Sequence, residues 1–304
     1  MAQTGESWTP QQLTALSLTA GPLFKEYLQL CDEGGWAGIF DPSVFQVGAS
    51  DVLLVVDMQN DFVPCDAQNT DGGRFGVAEG ADVAGLIVRL MRHFAERGGR
   101  VVATRDYHPA EHASFLPGGP FPAHCIQGST GSAFYKPIGD CLKELRARGS
   151  AEVVFKGFNE DIDSFGAFKY PSDAAALARL SHRDSPQGLH GCCSLCEWTG
   201  AVAVKCSNME NDINAPPDML SIFSKQSLAS ILRGGDAKRI FVCGLALDYC
   251  VLDTCLNAAE VAAEAGFEHV YMVMDASRAA HIRHVGIHGS GFLTSPSDLK
   301  AQLA

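Results

Sequence analysis

Short apolar runs alternate with longer amphipathic stretches from Asp51 onward, and the alternation predicts the elements. VLLVV at 52–56 is β-branched and bounded by charge, which reads as a buried strand. Over 80–97 the apolar residues Val83, Leu86, Ile87, Leu90, Met91 and Phe94 recur at helical spacing and stop at Gly98-Gly99. RVVATR at 100–105 predicts a second strand, 137–149 a helix with a glycine stop, and EVVF at 152–155 a third strand. RIFVCG at 239–244 is a fourth strand, 248–266 a helix, and HVYMVMD at 269–275 a further strand, with a short helical pattern from Ala276.

Repeated strand and helix over this length predicts an α/β protein with a mainly parallel sheet. Right-handed crossovers then place the carboxyl ends of the strands on one edge. Two stretches stand outside the rhythm. Residues 1–50 form an N-terminal extension with an amphipathic stretch from Leu13 to Leu30 and no chemical motif. Residues 172–222, rich in turn formers, read as an insertion in a 51–304 domain, long enough for a lid or an oligomer contact.

Composition narrows the function classes. The 304 residues are 46% hydrophobic and 19% charged, which excludes a mostly disordered chain. A formal charge of -12 argues against nucleic acid as a partner and against an anionic membrane surface. No apolar run approaches the ~18 residues of a spanning helix. The opening residues carry no secretory signal pattern, so a soluble, cytoplasmic protein is expected. Eleven cysteines, an odd number, fit free thiols in a reducing compartment.

The predicted strand ends carry the candidate chemistry. The first ends in Asp57, the second in Asp106 and then His108, and the third in Lys156. The fourth leads through Gly244 to Cys250 at a helix start. Ligands of open parallel sheets bind at this edge, so a carboxylate, a metal-type pair, an ammonium and a thiol are expected to meet there. A cysteine in the first turn of a helix gains thiolate character from the macrodipole, and the same turn offers N–H groups to an oxyanion. Asp106 and His108, with His124 from the following loop, could converge on one cation of the Zn, Fe or Mn type.

VVDMQNDFV (55–63), TRDYHPAEHASF (104–115), PAHCIQGSTGS (122–132), FKG (155–157), DSFGAF (163–168) and CGLALDYCV (243–251) occur in this order. The set resembles the nicotinamidase/pyrazinamidase branch of the isochorismatase-like cysteine hydrolases, over residues 51 to about 280. The resemblance implies a three-layer α/β/α fold with a doubly wound, mainly parallel sheet. It implies a catalytic triad of Asp57, Lys156 and Cys250, in which Asp57 exchanges protons, Lys156 orients it and lowers the thiol pKa, and Cys250 forms a thioester. It implies a divalent metal, zinc foremost, on Asp106, His108 and His124. His112 sits where some relatives place an additional ligand and others do not. The oxyanion hole would be the N–H groups of Ala246 and Cys250, with a cis peptide before Ala246. The substrate would be nicotinamide, its ring between Phe62 and Phe121, with Leu245, Ala246 and Tyr249 completing the contacts, and the product would feed NAD salvage. Homo-oligomers fit this reading as well as a monomer does. The chain departs from the family pattern at Phe121, usually Trp, and at Leu247, usually Thr.

Three rivals remain open from sequence. Another small amide or carbamoyl compound could be the substrate. A dinucleotide oxidoreductase would share the sheet, but no G-x-G-x-x-G follows the first strand. A zinc-organised binding module could use His190, Cys192, Cys193, Cys196 and Cys206, although a second C-x-x-C pair at finger spacing is missing.

Overall fold

Strand β1 (Asp51–Val56) is buried along its whole length, and its alternate side chains enter two different cores. Leu53 and Val55 face one core, and Val52, Leu54 and Val56 the other. This period of two on a strand buried on both faces is the reason its sequence is continuously apolar. The structure is a computed structural model that describes residues 21–35, 46–117, 121–172, 199–204, 206, 208–209, 211–218, 226–282 and 291–303.

Around β1 lie β2 (Arg100–Asp106), β3 (Ala151–Lys156), β6 (Arg239–Leu245) and β7 (His269–Arg278), all parallel to their neighbours. The short strands β4 (Val202–Ala203) and β5 (Gln226–Ser227) extend the sheet antiparallel, giving the order β5-β4-β3-β2-β1-β6-β7. Helices α2 (Ala84–Glu96) and α3 (Lys136–Ala147) cover one face through Ile87, Met91, Phe94, Ile138, Leu142 and Leu145. The other face is covered by α1 (Pro22–Glu33), α4 (Leu228–Arg233), α5 (Leu252–Ala265) and α6 (Pro296–Leu303). The expected three-layer, mainly parallel, doubly wound architecture is what is found.

One local expectation is corrected. The helical pattern from Ala276 gives way to strand: β7 continues to Arg278, and after an irregularity between Val242 and Gly244 it pairs Ser277 with Gly244 and Arg278 with Leu245. Sheet pairing outweighs the helix propensity of the alanines there. The stretch 172–222, expected as an insertion outside the rhythm, supplies β4, whose Val202 pairs with Phe155; two residues are too few to show a period. Residues 173–198, 205, 207, 210 and 219–222 of that stretch lie outside the described residues, as does most of 1–50.

Gly244 shows why the strand before the nucleophile turn is tight. Its φ is +120°, and a Cβ there would lie 2.1 Å from the Val56 carbonyl oxygen, so only glycine lets β6 pass so close to β1. On β2, Arg105 and Asp106 point to opposite faces. The Arg105 guanidinium lies 5.1 Å from the Tyr107 and Phe155 ring centroids and donates to the carbonyls of Ser132 and Ala215. Asp106 faces the carboxyl edge and the site.

Candidate active site

The parallel register sets Asp106 opposite Lys156 on adjacent strands, and both side chains are buried. Lys156 Nζ lies 2.9 Å from Asp57 Oδ2 and 3.0 Å from Asp106 Oδ1, donates to the Ser164 carbonyl at 2.9 Å, and lies 3.8 Å from Cys250 Sγ. Asp57 follows β1 with φ +47°; its N–H donates to Thr104 Oγ1, which in turn donates to Asp57 Oδ1. Burial would lower the Lys156 pKa, but Asp106 and Asp57 hold it well above its ordinary value, so the ammonium stays charged. Burial raises Asp57 against the pull of Lys156.

Cys250 sits in a π-helical turn, Leu247–Val251, entered through a cis peptide between Leu245 and Ala246 and continued by α5. The N–H groups of Tyr249 and Val251, on either side of Cys250, both donate to the Ala246 carbonyl. The thiolate character expected from the helix start is not what the surroundings favour. Burial pushes the Cys250 thiol well above its ordinary value, and Lys156, pulling it down, does not prevail. Surroundings that favour the thiol call for an acceptor to take its proton before the sulfur can attack.

Beside this cluster, Asp106, His108 and His124 bring ligand atoms within 4.8 Å of one another, all buried. The donor set fits a divalent ion for a reason visible in the hydrogen bonds. His108 Nδ1 lies 3.1 Å from the Gly157 carbonyl and His124 Nδ1 2.8 Å from the Pro122 carbonyl. Carbonyls only accept, so each ring donates from Nδ1, and Nε2, on the side of Asp106 Oδ2, is the nitrogen a bound ion would engage, in His108 in place of the proton shared with that carboxylate. Gln59 fixes the strand end by accepting from the Asp106 N–H and donating to the Asp106 and Ser132 carbonyls. Burial would raise Asp106, but His108 and Lys156 together hold it below the carboxylate range.

His112 is placed differently. Its Nδ1 accepts from the Ser114 N–H, and its Nε2 faces the Ile162 carbonyl at 3.4 Å. It belongs to a second group whose ligand-type atoms lie within 4.8 Å of one another and could hold an ion, with His108 and Asp163, whose carboxylate accepts from the Ser114 hydroxyl and from the N–H of its own neighbour Ser164.

A pocket opens over the thiol, lined by Phe62, Phe75, Asp106, Phe121, His124, Asp163, Phe165, Ala246, Tyr249 and Cys250. Of the expected substrate contacts, Phe62, Phe121, Ala246 and Tyr249 are in this lining. Leu245 is not: it is fully buried in the core packed by α2 and α3. The pocket also uses two rings that sequence reasoning missed. Phe75 stands 5.5 Å from Phe121 and 5.7 Å from His124, and Phe165 stands 5.8 Å from Phe121 and 5.7 Å from Tyr249. Phe165 lies inside the DSFGAF motif, which was a signal for it; Phe75 in its glycine-rich loop had none. Of the alternative zinc cluster, His190, Cys192, Cys193 and Cys196 lie outside the described residues. Cys206 is a free thiol whose Sγ faces the Val204 carbonyl.

A parallel sheet whose strand ends unite a thiol, an ammonium and two carboxylates defines a class, and the comparisons agree with it. The chain belongs to the isochorismatase domain family, whose model matches residues 51–145 and 170–285. Lys156 falls in the interval between the two matched segments. The chain is 27% identical over 247 residues to the nicotinamidase of Escherichia coli, covering 76% of this chain and 84% of that one. It is 24% identical over 234 residues to the nicotinamidase of Saccharomyces cerevisiae, covering 69% and 81%. Among solved structures, the yeast nicotinamidase bound to the inhibitor nicotinaldehyde superposes with a TM-score of 0.51 at 21% identity. That likeness covers 83% of this chain and 97% of the other, and it is one of fold. Among the described residues no helix is long and apolar enough to cross a membrane.

Proposed function

We propose that this chain is a nicotinamidase, hydrolysing nicotinamide to nicotinate and ammonia through a thioester on Cys250. The observation that carries the reading is Lys156, which joins Asp57, Asp106 and Cys250 beneath a pocket walled by aromatic rings. The curated relatives are amidases of this kind, and the pocket suits a flat ring.

In this reading Asp57 accepts the thiol proton as Cys250 Sγ bonds to the carboxamide carbon. The carbonyl π pair moves to oxygen, and the N–H groups of Ala246 and Cys250 stabilise the oxyanion. Asp57 then returns the proton to the nitrogen as the C–N bond breaks and ammonia leaves. Water, deprotonated by Asp57, attacks the thioester carbon; the sulfur departs and recovers a proton. Lys156 keeps Asp57 oriented and balances the charge that moves between sulfur and carboxylate. A divalent ion held by Asp106, His108 and His124 would supply a Lewis-acidic contact for the ring nitrogen, and zinc, iron or manganese suits such ligands. Nicotinate formed this way would serve NAD salvage.

The test is ammonia and nicotinate release from nicotinamide by the purified protein, with ureidoacrylate and a carbamoyl compound assayed in parallel. Nicotinamide should be turned over fastest, and Cys250→Ala should abolish turnover while leaving bound metal unchanged. Turnover by Cys250→Ala at the wild-type rate would refute the nucleophile assignment.

A further inference from the structure

The segment that follows β3 is fastened to α5 by buried polar side chains. Asp253, Thr254 and Asn257 stand on the first two turns of α5, and all three are buried. Asn257 Nδ2 donates to the Phe168 carbonyl at 3.0 Å, and the Tyr170 hydroxyl donates to Asp253 Oδ2. Thr254 does more than join the two pieces. Its Oγ1 donates to the Cys250 carbonyl at 2.6 Å and accepts from the Ala167 N–H at 2.9 Å. A carbonyl only accepts and an amide N–H only donates, so the hydroxyl's single proton and one of its lone pairs are both assigned. A threonine bonding back to the carbonyl four residues earlier is common in helices and by itself says little. Here the same oxygen also takes the N–H of a segment 87 residues away along the chain.

These two bonds close a ring. From Ala167 the backbone runs back through Gly166 and Phe165 to Ser164, whose carbonyl accepts from Lys156 Nζ at 2.9 Å. Lys156 Nζ lies 3.8 Å from Cys250 Sγ, and the Cys250 carbonyl returns the path to Thr254. The ammonium and the sulfur thus sit on two arms of one circuit, and a single hydroxyl joins the arms. The arc from 164 to 167 is held on its other side as well. Ser164 Oγ accepts from the Gly200 N–H at 2.8 Å, and the Ala167 carbonyl accepts from the Ala201 N–H at 2.7 Å. A Cβ on Gly166 would lie 2.6 Å from Asn257 Nδ2, so the arc passes close to α5. Phe165, on this arc, presents its ring to the pocket beside Phe121 and Tyr249.

We propose that Thr254 is a positioning residue of the active site, setting the distance between the Cys250 thiol and the Lys156 ammonium through the Cys250 carbonyl and the 164–167 arc. The inference rests on the nucleophile assignment above. It differs from mere fastening of the segment to α5, because Asn257 fastens the same segment through a bond that does not involve Cys250.

Thr254→Val keeps the branched shape and removes the hydroxyl. With nicotinamide it is expected to lower kcat about tenfold with KM within about twofold, as a displaced nucleophile does when the binding walls stay in place. Thr254→Ala, a better helix former, should show the same split and serves where the valine variant does not fold. Thr254→Ser, which keeps the hydroxyl, should hold kcat within about twofold of the wild type. Asn257→Ala should lower the midpoint of urea denaturation and leave kcat within about twofold. Wild-type kcat in Thr254→Val or Thr254→Ala, a tenfold loss in Thr254→Ser, or an equal loss in Asn257→Ala would each overturn the inference alone. If Cys250→Ala turns over nicotinamide at the wild-type rate, the nucleophile assignment falls, and this inference falls with it.

Discussion

Lys156 Nζ lies 3.0 Å from Asp106 Oδ1, so the cation beside the thiol and the carboxylate of the candidate metal centre form one buried ion pair. The two halves of the site are thereby a single charged network. Disturbing either half should be felt in the other.

Lys156→Met should show this. Removing the cation leaves Asp57 and Asp106 buried without their partner, a loss that typically costs about 3–5 kcal/mol. Urea denaturation should report a fall of that order, and ammonia release should become undetectable. Lys156→Arg should not restore activity, because a planar guanidinium cannot occupy the point between two carboxylates and a carbonyl.

Gly157→Ala tests the metal centre without replacing a ligand. The residue has φ +76°, and a Cβ there would lie 2.6 Å from His108 Cε1 and 2.8 Å from Asp106 Oδ1. Metal affinity, measured by competition with a chromogenic chelator, should fall about 10–100-fold, the usual effect of disturbing a ligand's support. In the unaltered protein, metal at about a hundredfold above its Kd should add about 3 kcal/mol of stability, which excess EDTA removes.

Asp248 gives a pH prediction with a definite sign. Burial raises its pKa from 3.8 to about 6. Between those values the folded state holds a proton that the unfolded state has released, so this group's contribution falls as pH rises and is level above the folded pKa. Asp248→Asn should therefore gain on the wild type by about 3 kcal/mol between about pH 4 and pH 6.5. Equal pH slopes for the two proteins in chemical denaturation would contradict this.

Phe75→Ala should separate binding from chemistry. The ring touches Phe62, Phe121 and His124 but not the sulfur or Lys156, so its loss should raise KM about tenfold and leave kcat within about twofold. Initial-rate measurements over a range of nicotinamide concentrations decide it.

What could be read in the chain beforehand follows physical lines. Asp57, Asp106, Lys156 and the approach to Cys250 were legible because each closes a run of strand-like residues, and parallel topology sends every such end to one edge. The place of His112 was not, since its grouping with His108 and Asp163 and its contacts to the Ile162 carbonyl and the Ser114 amide are fixed only by tertiary structure. The burial that opposes the helix dipole at Cys250 was not legible, because the dipole is apparent from local sequence while burial is not. Ala276–Arg278 has helix-forming residues, and only the pairing with Gly244 and Leu245 reveals strand. Phe75 comes from a loop whose path no periodicity describes.

The opposed side chains of Arg105 and Asp106 carry a consequence for folding. A slip of β2 by one position would drive a guanidinium into the anionic edge and a carboxylate toward Phe134 and Phe155. Both ions would be stranded at once, so the misaligned sheet is penalised on its two faces together. These neighbours act as a key that admits a single alignment of the central strands, and the chemistry at the rim is assembled by the same choice.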